Sequence, residues 1–158
     1  MSNKIRYEEV EPTALKIVPE IKQAYYDAGW ERVPYPTDEW IEELYHTSDD
    51  DERRLGATIL FENLLAPFIM SLFEDEVGNK KRIQEIMDWI ESLAYHEDIR
   101  IRETLIGVCL CTKLLDQYGS KLPQTYPYLG PRTREICKDH AKRLNLAADV
   151  RQYLAEKG

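Results

Sequence analysis

The stretch EDIRIRETLIGVCLCTKLLDQY, residues 97–118, decides the fold class, because it has the pattern of one long amphipathic helix. Side chains that recur every three or four residues share one face of a helix. Here they are Ile101, Leu105, Val108, Cys109, Thr112 and Leu115, and Ile106, Leu110 and Leu114 widen the stripe. A stripe this broad is typical of a helix that is covered on more than one side. We therefore expect the neighbouring segments to be helices that pack against it.

Helical patterns continue along the rest of the chain. They predict helices after Pro19, after Thr37, through residues 55–73, over residues 80–95, from Pro131 and near the C-terminus. Pro67 should bend the third of these or split it near Ala66, since proline lacks an N–H group. Strand signals are nearly absent, and residues 119–131, with three prolines, are expected to form a loop. The sequence predicts an all-α, single-domain bundle of about six to eight helices over residues 1–158.

Two similar helix openings favour HEAT-like packing of the helices. Asp50 and Arg54 lie 48 positions before Asp98 and Arg102, and the D-x-R-x-R opening at Asp98 resembles the inner helix of a HEAT-type repeat. Such repeats are roughly 40–47 residues long, so the spacing is slightly long. The alternative is two ordinary helices with acidic N-termini.

Composition predicts a soluble cytoplasmic protein. The hydrophobic fraction of 43% and charged fraction of 32% are normal for a globular domain. No apolar run approaches the 18 residues of a membrane-spanning helix, and the N-terminal residues lack the apolar core of a secretory signal. Three cysteines, an odd number, fit a reducing compartment better than a disulfide framework.

The net charge of −8 is concentrated in one segment, TDEWIEELYHTSDDDE, residues 37–52. This segment contains eight acids and no lysine or arginine, whereas the remainder contains 21 acids and 21 bases. So concentrated a negative field disfavours nucleic acid and can attract a basic protein or metal ions. The helix from Pro131 is modestly basic, and we interpret it as a salt-bridged exposed face. We predict no nucleic-acid partner and no membrane partner.

The sequence carries no recognisable catalytic or metal motif. His46, His96 and His140 are isolated from one another, and the acidic run lacks the spacing of an EF-hand loop. Neither a G-x-S-x-G elbow nor a glycine-rich phosphate loop occurs. We predict no catalytic residue, no metal, no cofactor and no enzymatic activity, and we interpret the cysteines as small buried residues, namely Cys109, Cys111 and Cys137.

The tryptophans and tyrosines allow two interpretations, and the sequence does not decide between them. Tyr35, Tyr126 and Tyr128 stand in or near predicted loops, where they would either contact a partner or fasten the loops to the core. Trp30 follows Gly29 and is expected to fold back onto its helix as the apolar residue of a Schellman-type C-terminus.

The order of segments resembles a group of small bacterial helical proteins. The resembling pieces are VPEIKQAYYDAGW, FENLLAPFIMSLF, IQEIMDWIESL, EDIRIRETLIGVCL and YLGPRTREIC, which lie within residues 18–137. The pairing of L-x-P-F with L-G-P-x-T-R-E is the more specific part. This resemblance implies an all-α, HEAT-like fold and carries no catalytic residues.

By type, a small acidic helical protein also resembles the immunity proteins of bacterial toxin systems, such as those that neutralise contact-dependent inhibition toxins or colicin nucleases. Such proteins cover a basic toxin with an acidic face. That resemblance implies a partner-binding surface here, with aromatic packing if Trp40 and Tyr45 are exposed. The candidate residues are Asp38, Glu39, Trp40, Glu42, Glu43, Tyr45, Asp49, Asp50, Asp51 and Glu52. The alternative is a HEAT-like scaffold or adaptor that binds another protein or peptide.

Overall fold

The computed structural model describes residues 5–157 and is all-α. Helical residues make up 76% of it, and no strand occurs between residues 5 and 157. The all-α prediction is confirmed. Contacts between Cα atoms divide the chain into two compact units, of which unit 1 ends at Phe68 and unit 2 begins at Ile69. The predictions of one domain and of HEAT-like packing stay predictions.

Within residues 5–65, unit 1 contains four α-helices, the last of them a single turn, together with one 3-10 turn and one π-helical segment. In chain order they are α1 (Tyr7–Ile17), a 3-10 turn (Pro19–Ile21), α2 (Lys22–Ala28), α3 (Asp38–Leu44), α4 (Ala57–Ile59) and π1 (Leu60–Leu65). Helix α5 (Ala66–Leu72) then begins in unit 1 and continues into unit 2. Helices α1 and α3 pack together, and the fully buried Leu15 and Leu44 belong to the core.

The long apolar segment begins later than the sequence predicts and passes through Pro67 without leaving the helical conformation. Its first helical residue is Ala57, because Gly56 before it has a φ of +101°. Segment π1 then has its hydrogen bonds five residues apart, and the N–H of Ala66 donates to the carbonyl of Phe61. Helix α5 follows directly. The change from π to α geometry therefore falls at Ala66, beside the proline that cannot donate a hydrogen bond.

Unit 2 contains the remaining elements. They are a 3-10 turn (Phe73–Asp75), α6 (Glu76–Ala94), π2 (Arg100–Cys111), π3 (Lys113–Gln117), a 3-10 turn (Gly119–Lys121), α7 (Leu122–Thr125), a 3-10 turn (Tyr126–Tyr128), α8 (Pro131–Ala141) and α9 (Ala148–Lys157). The predicted loop at residues 119–131 was wrong, since short helical turns fill most of it. Pro123 and Pro127 each stand at a first or second helical position, where a missing N–H costs nothing.

The central helix of the sequence pattern exists, but as a π-helix. Its backbone hydrogen bonds join residues five positions apart, for example the N–H of Tyr118 and the carbonyl of Lys113 at 2.9 Å. Leu105, Leu110 and Leu114 are fully buried, as the pattern predicts. Val108, predicted to face inward, is 52% exposed. A π-helix holds more residues per turn than an α-helix, so a stripe laid out for α geometry misplaces some side chains.

Helix α8 is capped by a residue of α6. The carboxylate of Glu91 accepts hydrogen bonds from the N–H groups of Arg132 and Thr133, both at 2.9 Å, and from the Thr133 hydroxyl at 2.7 Å. A Cβ at Gly130 would overlap the same carboxyl group. The motif L-G-P-x-T-R-E therefore has a structural reason: glycine leaves room for Glu91, and Pro131 starts the helix.

The cysteines are buried as predicted, but two of them are joined. Cys111 in π2 and Cys137 in α8 form a disulfide across 26 residues, and these two elements pack together. Cys109 is also buried and lies outside this disulfide. The expectation that the cysteines are reduced was wrong for this pair, because pairing depends on which helices meet and the sequence pattern does not show that. The cytoplasmic location stays a prediction.

One helical run satisfies the length and composition of a membrane-spanning helix. It lies within Ala57–Ala94, with a mean hydropathy of 1.4 over its most apolar window. Core helices of soluble proteins reach the same hydropathy, and 44% of this window is buried. The prediction that the chain has no membrane-spanning helix stays a prediction.

Candidate partner-binding surface

The predicted acidic residues of α3 lie on its outer face. The hydroxyl of Thr37 accepts a hydrogen bond from the N–H of Trp40 at 3.2 Å, so Thr37 is the N-cap that its sequence position predicts. Ile41 and Leu44 are buried. Because this helix has a buried face and an exposed one, its four acids point away from the core, and they are Asp38, Glu39, Glu42 and Glu43.

The remaining acids form a turn rather than the start of a helix. Asp49, Asp50 and Glu52 are exposed and Asp51 is half-buried. Arg53 connects this turn to α3, because its guanidinium lies 2.9 Å from the carboxylate of Asp51 and 3.9 Å from that of Glu43. We call the eight acids of α3 and of this turn the acidic surface.

Half of the acidic surface is neutralised by local ion pairs. Asp38 pairs with Lys22 at 3.5 Å, and Glu42 pairs with Lys16. Arg53 pairs with the two acids already named. Within residues 5–157 no ion pair reaches the other four carboxylates, which belong to Glu39, Asp49, Asp50 and Glu52. These four keep their charge available to an incoming molecule.

The carboxyl group of Asp51 should titrate near pH 2. Hydrogen bonds from the Arg53 side chain and backbone lower the pKa of Asp51 from 3.8 to about 2. Since the folded pKa is depressed, the pair stabilises the fold above pH 3.8, and this contribution disappears as the pH falls through 2. The effect on stability is small because solvent screens the pair at the Arg53 side chain, which is 47% exposed.

A carbon NMR titration of the Asp51 carboxyl group measures this pKa directly. Replacing Arg53 by glutamine should return the Asp51 midpoint toward 3.8, whereas the pKa of Asp98, which Arg100 lowers, should not change. A midpoint near 3.8 in the unsubstituted protein would contradict the Arg53 contact.

Of the two aromatic residues assigned to this surface, Trp40 does not meet the predicted condition of exposure, and the role of Tyr45 stays a prediction. Trp40 is only 6% exposed, and the Arg53 guanidinium lies 4.7 Å above its ring. Tyr45 is half-buried, and its hydroxyl lies 2.9 Å from that of Thr13. The condition of exposure therefore fails for Trp40, which packs beneath the acidic surface instead of contributing to it.

Other aromatic residues of unit 1 are exposed instead. Tyr26, Trp30 and Tyr35 expose 41%, 87% and 42% of their surface. Trp30 does not fold back onto α2, as the sequence suggested, because its φ of +49° turns the chain away at that residue. Amphipathic periodicity gives no rule for a side chain in a turn, so this exposure had no clear signal in the sequence.

A buried ionic network holds the acidic turn in place. The side chains of Glu11 in α1 and Arg54 after the turn are each 1% exposed, and the Arg54 Nε donates to Glu11 Oε1 at 3.0 Å. Other Arg54 nitrogens donate to the carbonyls of Glu8, at 2.6 Å, and of Thr47 and Ser48, at 3.3 Å. Arg54 thereby fixes both ends of the turn against α1.

The other oxygen of the Glu11 carboxylate is satisfied too. Glu11 Oε2 accepts a hydrogen bond from the hydroxyl of Tyr25 and another from the N–H of Gly56 at 3.0 Å. Burial, together with the negative charge of Glu11, raises the pKa of Tyr25 well above its usual value. The Tyr25 hydroxyl therefore remains a proton donor, and both Glu11 oxygens have partners. Sequence reasoning missed this network because Glu11 and Arg54 are 43 residues apart.

The charge of the protein is divided unequally between the two units. Residues 1–68 contain 15 acids and 7 lysines or arginines, a net charge of −8, whereas residues 69–158 contain 14 of each and are neutral. The full net charge of the chain therefore belongs to unit 1.

No group of three or more His, Cys, Asp or Glu side chains within residues 5–157 is arranged to hold a metal ion. The chain matches no protein-family model, and searches of curated proteins and of solved structures return no match either.

Proposed function

We propose that this chain is a non-enzymatic binding protein that captures a basic protein on the acidic surface of unit 1. More specifically, it is an immunity protein that neutralises a cognate bacterial toxin, for which a basic nuclease is the fitting target. The observation that carries the proposal is the location of the whole −8 charge in unit 1, with four exposed carboxylates free of ion pairs among residues 5–157. A concentrated field of one sign speeds the encounter with a partner of the opposite sign.

The buried network supports this function through preorganisation. The turn that carries Asp49, Asp50 and Glu52 is fastened at both ends by Arg54. A surface that is already ordered loses less conformational entropy when a partner docks. The carboxylates can therefore act as a fixed charge pattern and not as a flexible acidic loop.

Reversing three of the unneutralised charges should slow capture of the partner. The variant replaces Glu39, Asp49 and Glu52 by lysine and leaves Asp51, which pairs with Arg53, in place. We expect the association rate constant at low salt to fall by about 10- to 100-fold and its salt dependence to flatten. Stopped-flow or surface plasmon resonance against the product of the adjacent upstream gene, once shown to co-purify, measures both.

A matched variant in unit 2 separates local from overall charge. Lysine in place of Glu74, Glu97 and Asp116, all exposed, changes the net charge of the protein by the same amount. It should leave association nearly unchanged. If the two triple variants slow association equally, the acidic surface is not the binding site; if no adjacent gene product forms a complex, the immunity function is rejected.

A second candidate function, a HEAT-like scaffold or adaptor, is favoured by a repeated local geometry. Asp51 Oδ1 accepts a hydrogen bond from the N–H of Arg53 at 2.9 Å, and Asp98 Oδ1 accepts one from that of Arg100, also at 2.9 Å. Both arginines form a side-chain ion pair with their aspartate at 2.9 Å. The two turns are 47 residues apart, within the range of a HEAT-type repeat.

The second arginine of each turn, Arg54 or Arg102, also makes the same kind of hydrogen bond, from its side chain to backbone carbonyls that precede the turn. Arg54 donates to the carbonyls of Thr47 and Ser48, and Arg102 donates to those of His96 and Glu97. Binding that survives both high salt and the charge reversal in unit 1 would support the scaffold function over the immunity function.

A further inference from the structure

Unit 1 exposes three aromatic side chains within residues 26–35, Tyr26, Trp30 and Tyr35, which we call the aromatic patch. The rings of Tyr26 and Tyr35 meet edge to face, with their centroids 5.7 Å apart. Trp30 stands in the turn that joins α2 to the segment of Tyr35 and is 87% exposed. Tryptophan and tyrosine are the residues most enriched at the energetic centres of protein interfaces.

Stability of the isolated protein does not account for tryptophan at position 30. Trp30 and Glu31 have φ values of +49° and +65°, in the left-handed region that bulky side chains rarely adopt. Glycine or asparagine adopts this conformation at lower cost. The glycine in this turn stands one residue earlier, at Gly29, where a Cβ would overlap Val33. Neither burial nor backbone preference therefore favours tryptophan at this position in the free protein.

The aromatic patch adjoins the acidic surface. Lys22 and Tyr26 are one turn apart on α2, and while Tyr26 contacts Tyr35, Lys22 pairs with Asp38 at 3.5 Å. The N–H of Thr37, the cap of α3, donates to the carbonyl of Tyr35 at 2.8 Å. Residues 26–43 contain six acids and a single base, Arg32. A molecule that covers the aromatic patch therefore meets a negative field at its edge.

We propose that the aromatic patch, in which Trp30 is the most exposed residue, is the apolar anchor by which unit 1 holds a partner protein. The partner's matching surface presents apolar side chains flanked by lysine and arginine. This inference rests on the proposed function and assigns a separate kinetic role to each surface. The acidic surface sets the association rate constant of the complex, and the aromatic patch sets its dissociation rate constant. Cations at the rim of the partner also suit the faces of exposed tyrosine and tryptophan rings.

A binder selection tests this inference without a known partner. The full chain is immobilised and challenged with a library of small folded domains that have one randomised face. Independent clones should converge on faces that combine apolar residues with lysine and arginine. For these clones Trp30→Ala should raise the dissociation rate constant by about tenfold or more and change association by less than about twofold. The control Val77→Ala, at a position 90% exposed in unit 2, should change neither.

A second variant guards against a folding defect. Trp30→Asn suits the left-handed backbone, so it should fold at least as well as the unsubstituted chain and should still release the clones quickly. Clones that dissociate from Trp30→Asn and Trp30→Ala at the original rate would overturn the inference, as would convergence on neutral or acidic faces, or no convergence at all.

The outcomes also separate this inference from the proposed function. If the charge reversal at Glu39, Asp49 and Glu52 slows association while Trp30 variants have no effect, the acidic surface stands and the aromatic anchor fails. If Trp30 variants release the clones and the charge reversal has no effect, the anchor stands and the acidic surface fails.

Discussion

Replacing Glu11 by alanine is expected to lower the free energy of unfolding by about 3–5 kcal/mol. The substitution leaves the Arg54 guanidinium buried, with a side chain 1% exposed, and without its counter-charge. It also deprives the Tyr25 hydroxyl and the N–H of Gly56 of their acceptor. An uncompensated buried cation is among the most costly single defects a protein core can contain. Arg54→Ala should lower the free energy of unfolding by a similar amount, since it leaves the buried Glu11 carboxylate without its counter-charge.

Urea unfolding of the two single variants and of a double variant tests this prediction. Methionine at both positions removes the charges together and fills similar space, so Glu11→Met with Arg54→Met should recover most of the lost stability. The exposed pair of Lys142 and Asp139 provides the control, and Lys142→Ala should change the free energy of unfolding by less than about 0.5 kcal/mol. A cost below about 1 kcal/mol for Glu11→Ala would show that water reaches Arg54 and that the network is not buried in solution.

Local features of this fold could be predicted from the sequence because they depend on neighbours along the chain. Thr37 caps α3 and Pro131 begins α8, as their residue types and positions predict. The all-α class follows from periodicity, which is repeated in almost every segment. The outward position of the α3 acids follows from the same periodicity, since the buried Ile41 and Leu44 fix the inner face.

Features that depend on tertiary contact could not be predicted in this way. Arg54 was interpreted as part of a helix opening, but its side chain is buried against Glu11, 43 residues away. Val108 falls on the apolar stripe of an α-helix and becomes exposed because the helix is of the π type. Around Arg54 the sequence predicts the start of a helix where the structure has a turn, and around Val108 it predicts the helix but not its π type. In both cases the tertiary partner or the helix type decides where the side chain points.

In the candidate site, too, the sequence predicted the local features and missed those that depend on tertiary contact. The sequence located the acids, but not which of them are neutralised, because that depends on Lys16, Lys22 and Arg53 reaching across from other parts of unit 1. It assigned the aromatic role to Trp40, which is buried, and missed Trp30, whose exposure follows from a left-handed turn.

Removing the disulfide between Cys111 and Cys137 is expected to lower the free energy of unfolding by about 3.5 kcal/mol. The cross-link spans 26 residues, and closing a loop of that length restricts the unfolded chain by about this amount. The matching experiment is urea unfolding with and without a reducing agent. Both cysteines are 0% exposed, so the reductant should act slowly on the folded protein and quickly once the chain has begun to unfold.

Two variants separate the disulfide from general effects of the reductant. Alanine at both Cys111 and Cys137 should give the stability of the reduced protein and make it insensitive to reductant. Cys109→Ala, which leaves the disulfide intact, should keep the full sensitivity to reductant. If the unsubstituted protein unfolds identically in both conditions and its unfolded chain titrates as three thiols, then Cys111 and Cys137 are neighbours that remain reduced. The packing of α8 on π2 would then depend on apolar contacts and on the cap from Glu91 without a covalent link.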